Sequence, residues 1–121
     1  MPRPVHFEIS ANNPERAATF YRDVFGWQVT KWEGPAEYWF ITTGDDPRGI
    51  DGALLRREVW NRGTTNTIEV PSVDSTLVMV LGRGGKIVAP KVAISGVGWL
   101  AYCEDCEGNR FGVMQPDPDV A

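Results

Sequence analysis

At 121 residues, 42% of them hydrophobic and 23% charged, the chain has the size and composition of one domain, long enough to bury about two-thirds of its unfolded surface and to fold without covalent staples. Twelve basic against sixteen acidic side chains, a net charge of -4, argue against a nucleic-acid partner, which a basic patch would have to hold. No apolar run approaches the ~20 residues of a membrane span, and "MPRPVHFEIS" lacks a signal-peptide core, so no membrane partner and a cytoplasmic location are expected.

In chain order, residues 4–9, "PVHFEI", alternate as a strand does. Val5, Phe7 and Ile9 fall on one face, His6 and Glu8 on the other. A helix follows: Asn13 is placed as N-cap, Pro14 opens the first turn with Glu15 behind it, and Ala17, Phe20, Tyr21 and Val24 recur at helical spacing until Gly26. "WQVTKWE", "EYWFITTG" and "DGALLRREVW" then read as three strands, separated by turn signals at Gly34-Pro35 and "GDDPRG".

The second half gives the same reading. A strand in "TNTIEVP" is followed by a helix from about Ser72 to Leu81, a strand "GKIVAP", a strand "GWLAYCE", a turn "DCEGN" and a strand "RFGVMQ". Shifted by about 60 residues, Phe7-Glu8-Ile9 falls on Ile68-Glu69-Val70, Trp39 on Trp99, and Gly52-Ala53-Leu54 on Gly112-Val113-Met114. This internal repeat predicts an α+β protein of two βαβββ modules, about 4–60 and 64–116 with a tail at 117–121, in one domain. Neither module is expected to bury its sheet alone, so a curved mixed sheet with a cup-shaped cavity is expected.

The stretches "HFEISANNPERAATFYRDVFGW" and "GRGGKIVAPKVAISGVGWLAYCEDCEGNRFGVMQ" resemble the vicinal-oxygen-chelate superfamily, which includes glyoxalase I, bleomycin-resistance proteins and extradiol dioxygenases. The resemblance implies a metal site with a histidine and a carboxylate from each half, since a divalent ion that polarises two substrate oxygens needs donors from both walls. His6 matches the first histidine position. The second falls on Thr67, or on Thr65 two residues earlier, and the carboxylate positions fall on Gly112 and, by the repeat, on Gly52. Glycine offers no side-chain donor. One ligand of four is then left, and no metal cofactor is expected, although a re-wired site of His6, Glu8 and Glu69 stays open.

His6 is suited to acid–base work near neutral pH or to hydrogen bonding in a pocket. Glu8 shares its face, and Glu69 is its repeat mate, so these three are the candidate catalytic residues. Trp39, Trp99, Thr67 and Gln115 are the candidate ligand-binding residues, with core packing as the alternative for the tryptophans and strand termination for Gln115. Trp32 and Trp60 are placed near loops, at a mouth or an interface. Cys103 and Cys106 form a lone CxxC with no helix after it to stabilise a thiolate, and "GRGG" follows a helix where a phosphate loop would precede one. The expectation is a protein of glyoxalase and bleomycin-resistance type that binds a small aromatic or antibiotic-like molecule in a metal-free cup, as a homodimer. The alternative is a lyase, isomerase or dioxygenase-type enzyme that uses His6 with Glu8 and Glu69.

Overall fold

The computed structural model describes residues 2–58, 61 and 63–121. Its element order is β1 (Arg3–Ala11), α1 (Pro14–Phe25), β2 (Gln28–Lys31), β3 (Tyr38–Thr42), β4 (Gly52–Arg56), β5 (Thr64–Glu69), α2 (Val73–Gly82), β6 (Lys86–Ile94), β7 (Gly98–Glu104) and β8 (Arg110–Pro116). This is the expected α+β pattern of two βαβββ modules. The chain divides into two compact units, residues 6–65 and residues 66–121 with the first few.

In the first unit the strands run in the order β2-β3-β4-β1, with β1 parallel to β4 and the rest antiparallel. The second has the same mixed plan, β5-β8-β7-β6, with β5 parallel to β8. Each parallel pair is joined through its module's helix.

The helices begin and end where their chemistry directs. Asn13 accepts a hydrogen bond from the Arg16 amide at 3.1 Å, Pro14 gives up an amide that would have no partner, and Glu15 sits at the positive end of the helix. Gly26 closes α1 in the left-handed conformation (φ 73°) and donates to the Arg22 carbonyl. Ser72 caps α2 in the same manner through the Ser75 amide.

Each helix covers one face of its sheet. Ala18 packs with Val29, Trp39, Ile41 and Leu54, and Phe7, Ile9, Tyr21 and Trp27 close the rim. In the second unit Val73 packs with Val70, Ala101, Cys103 and Val113, with Trp99 and Phe111 at the edge. The alternation places His6, Glu8, Tyr38 and Phe40 on the helix-free face of the first sheet, and Thr67, Glu69, Tyr102 and Gly112 on that of the second.

Two expected boundaries move. The strand expected over residues 51–60 closes at Arg56, with one last bond from the Arg57 amide to the Ala11 carbonyl, and Trp60 lies outside the described residues. The strand expected to stop at Pro90 instead continues to Ile94, with register shifts on both sides of Ala89. Proline lacks an N–H, and an end strand with a bulge absorbs that loss without breaking the strand.

Trp39 is 3% exposed, and its indole N–H donates to Glu15 Oε1 at 2.8 Å. Glu15→Ala therefore strands a buried donor and removes an anion from the first turn of α1, at an expected cost of about 2 kcal/mol. Chemical denaturation should show a lower midpoint with unchanged slope, and Glu15→Gln, which keeps an acceptor, should recover more than half of the loss.

Candidate functional site

The helix-free face of the first module carries the polar cluster. His6 and Glu8 lie two residues apart on β1, and the Tyr38 hydroxyl comes from β3 to 3.4 Å from His6 Nε2, a pair whose donor depends on the imidazole tautomer. Glu8 is 8% exposed. Burial lowers the His6 pKa below its ordinary value, with the Asp51 charge acting weakly the other way. Burial, reinforced by the Glu8 charge, pushes the Tyr38 phenol up to about 12. Both groups are therefore neutral at neutral pH, with Tyr38 suited to donate and His6 to accept.

Around this pair stands an aromatic ledge. Trp32 meets Tyr38 edge to face (centroids 6.3 Å apart, planes at 79°), and Tyr38 meets Phe40 in the same way (5.2 Å, 73°). Phe40 is 47% exposed and Trp32 39%. The Trp32 amide donates to the Tyr38 carbonyl at 2.8 Å, and its ring folds over Gly34 where any side chain would collide with it. Trp32 is thus at an exposed edge, as expected of a residue near a loop.

The strand register corrects one expectation. Phe7 pairs with Gly52 and Ile68 with Val113. With Phe7 matched to Ile68, Gly52 corresponds to Val113, and Asp51 to Gly112. Gly52 lies on the helix-packed face, where an added Cβ would come within 2.7 Å of the Phe7 ring. The carboxylate position of the first half is therefore filled by Asp51, next to His6, and not emptied by Gly52. A shift of 60 paired glycine with glycine in that strand, whereas the register requires 61. Asp51 Oδ1 accepts from the Thr43 amide at 2.9 Å, which steadies it at the end of β3.

The second module differs at both matching places. Thr67 pairs with Gly112, and a Cβ on Gly112 would meet Thr67 Oγ1 at 3.1 Å and the Tyr102 ring at 3.4 Å. A hydroxyl and a glycine stand where the first module has an imidazole and a carboxylate. Among the described residues no group of three or more histidine, cysteine, aspartate or glutamate side chains is placed to hold a metal ion. The four-donor set implied by the resemblance does not fit these residues, because His6 and Asp51 supply only two donors.

The other expected residues take separate places. Glu69 is exposed on the helix-free face of the second module, while Thr67 beside it is buried. Trp39 belongs to the helix-packed core of its module, as does the half-buried Trp99, whose indole N–H points to Asp117 Oδ2 at 3.4 Å. Gln115 accepts from the Val73 amide at 3.0 Å and so ties β8 to the start of α2. The rings on the helix-free face include Tyr38 and Phe40, each one residue from Trp39, and Tyr102, three residues from Trp99. Cys103 is buried and Cys106 exposed, and both are free thiols.

Comparison with known proteins agrees with this architecture. The bleomycin resistance protein-like N-terminal family matches residues 3–44. A glyoxylase-like domain-containing protein of Didymella fabae is 29% identical over 115 residues, 88% of each chain. Among solved structures, a hypothetical protein from Bacillus halodurans C-125 superposes with a TM-score of 0.72 at 13% identity, over 99% of this chain and 98% of that one. A methylmalonyl-CoA epimerase in complex with methylmalonyl-CoA gives 0.70 at 14%, over 100% and 99%. The chain is similar in sequence to proteins of bleomycin-resistance and glyoxylase type and shares the fold of the vicinal-oxygen-chelate superfamily. The superfamily's repeat is the one read in the sequence, and the low identities to solved structures speak for the fold alone. No described helix is long and apolar enough to cross a membrane.

The low His6 pKa makes a pH prediction. Between the folded pKa and the ordinary value of 6.5 the unfolded chain binds the proton and the folded chain does not, so stability rises with pH across that window and is lost as pH falls through it. The melting temperature should drop between about pH 7.5 and pH 5.5, and His6→Gln should show a shallower drop over the same range.

Proposed function

We propose that the helix-free face of the first module binds a flat, small organic molecule without a metal ion. The observation that carries this reading is the edge-to-face series Trp32–Tyr38–Phe40 ending on the neutral His6–Tyr38 pair. The rings supply apolar area, and the neutral donor and acceptor orient a carbonyl, amide or phenol. Similarity to a bleomycin resistance protein-like family supports a sequestering role, in which affinity without chemistry is sufficient.

A second reading has one observation in its favour. Glu8 is buried beside His6, and a carboxylate in that position is a general base for proton abstraction from carbon. The epimerases among the structural neighbours make that reaction class the one to test. Deuterium uptake into methylmalonyl-CoA in heavy water, abolished by Glu8→Gln, would establish the enzyme reading; absence of exchange at high protein concentration would remove this substrate class.

We also propose a homodimer. α2 carries Val78, Met79 and Leu81 with 71%, 62% and 55% of their surface exposed opposite its packed side, and a helix apolar on all sides wants a second cover. Light scattering should give twice the chain mass, and Met79→Glu should yield a folded monomer. The two free thiols suit the reducing cytoplasm.

For the binding reading, a thermal-shift screen of planar aromatic amides, phenols and bleomycin should find compounds that raise the melting temperature. Tyr38→Ala and Phe40→Ala should each abolish the shift, a loss of about tenfold or more in affinity. Hits indifferent to both substitutions would overturn the proposed face. Near-stoichiometric divalent metal in protein purified without a tag, lost in His6→Ala, would overturn the metal-free reading.

A further inference from the structure

A groove of about 460 Å³ lies at the carboxyl end of β1, where the chain turns into α1. It is built within the first module and away from the His6–Tyr38 pair. Its apolar wall is Ile9, Ala17, Phe20 and Tyr21, and its polar border includes Arg16 and Arg57. Phe20 is 56% exposed and meets Tyr21 edge to face at 5.2 Å; Tyr21 stacks on Trp27 at 5.2 Å with planes 6° apart. The wall is therefore held from behind while its front stays open.

The arginines are what set this groove apart in a chain with a net charge of -4. Neither forms an ion pair among the described residues, whereas neighbouring charges are committed: Arg56 pairs with Glu37, and Glu15 accepts from Trp39. The Arg57 guanidinium is fixed in place. Its Nε donates to Ser10 Oγ at 3.3 Å and its Nη2 to the Ser10 carbonyl at 3.0 Å; Ser10, 4% exposed, donates its hydroxyl to the Gly63 carbonyl at 3.3 Å. A guanidinium already ordered by a buried serine loses little freedom when it takes up an anion, and its Nη1 has no part in these bonds. The positive end of α1 opens on the same groove and adds to the field.

We propose that this groove is a second ligand site, which takes a flat organic carboxylate: the ring lies on Phe20 and Tyr21, and the carboxylate lies between Arg16 and Arg57. Charge-assisted hydrogen bonds from arginine to a carboxylate are the strong kind, and the aromatic wall selects an apolar body over a bare anion.

The test titrates the full chain with 2-naphthoate by calorimetry, with side-chain Nε–H signals of arginine followed by NMR. Saturable binding that moves the Arg16 and Arg57 signals is expected, with 2-naphthamide and inorganic phosphate each moving those signals at least about tenfold more weakly. Arg16→Gln, at an exposed position that leaves the fold intact, should cost about tenfold, as should Phe20→Ala, while Tyr38→Ala leaves the 2-naphthoate dependence of the Arg57 signal unchanged. The proposal fails if 2-naphthoate at millimolar concentration does not move the Arg16 and Arg57 signals, if the amide or phosphate moves them equally well, or if Arg16→Gln has no effect on the Arg57 signal. It also fails if Tyr38→Ala abolishes binding, which would assign the carboxylate to the helix-free face instead.

Discussion

The Phe7 ring fills the space that a side chain at residue 52 would need, and this close approach fixes β1 against β4. Because strand side chains alternate with period two, a slip of one residue would exchange the two faces of the pair. Glycine at 52 lets the Phe7 ring seat under α1, and with it Ile9 and Leu54 enter the core. The same register sets His6 beside Asp51 and Glu8 beside Ala53 on the other face. The polar cluster is thus a consequence of core packing one residue away.

The two modules keep a common frame and differ in what they display. In each, a tryptophan on the helix-packed face sends its indole N–H to a carboxylate, Glu15 or Asp117, and a lysine, Lys31 or Lys91, lies over its ring at 5.8 or 4.8 Å. This arrangement seals an amphipathic ring that the core cannot enclose completely. On the helix-free side the matching positions have diverged. The first module has an imidazole and a carboxylate, and the second has a hydroxyl and a glycine whose missing side chain makes room for the Tyr102 ring.

Most of the frame was legible in the sequence because its signals are local. Asn13, Pro14 and Gly26 mark the ends of α1 by capping chemistry, and Ser72 marks the start of α2. The repeat revealed two βαβββ modules for the same reason, since alternation and turn residues recur. Asp51 was hidden because the glycines at 52 and 112 look equivalent in letters, yet one faces a helix and the other does not. Only the ladder pairing decides between shifts of 60 and 61. The role of Tyr38 was hidden too, because its hydroxyl reaches His6 along the sheet, a distance that strand spacing cannot express. Trp39, Trp99 and Gln115 stand out by size and chemistry, but their partners are Glu15 on α1, Asp117 just after β8 and the Val73 amide at the start of α2.

The lowered His6 pKa and the raised Tyr38 pKa point the same way, and together they set the chemistry of the helix-free face. Two groups that could carry opposite charges as an ion pair are instead both neutral: at His6 burial outweighs the Asp51 charge, and at Tyr38 the Glu8 charge adds to burial. A neutral pair engages a partner by hydrogen-bond geometry and not by long-range field, so in the proposed binding role selectivity would depend on shape and on the aromatic ledge. Fixed positive charge in the same module is found at the far end of β1, on Arg16 and on Arg57 held by Ser10. One small module therefore carries a neutral polar pair and a fixed positive charge on two separate surfaces, joined by a single strand whose even-numbered residues, His6, Glu8 and Ser10, serve both.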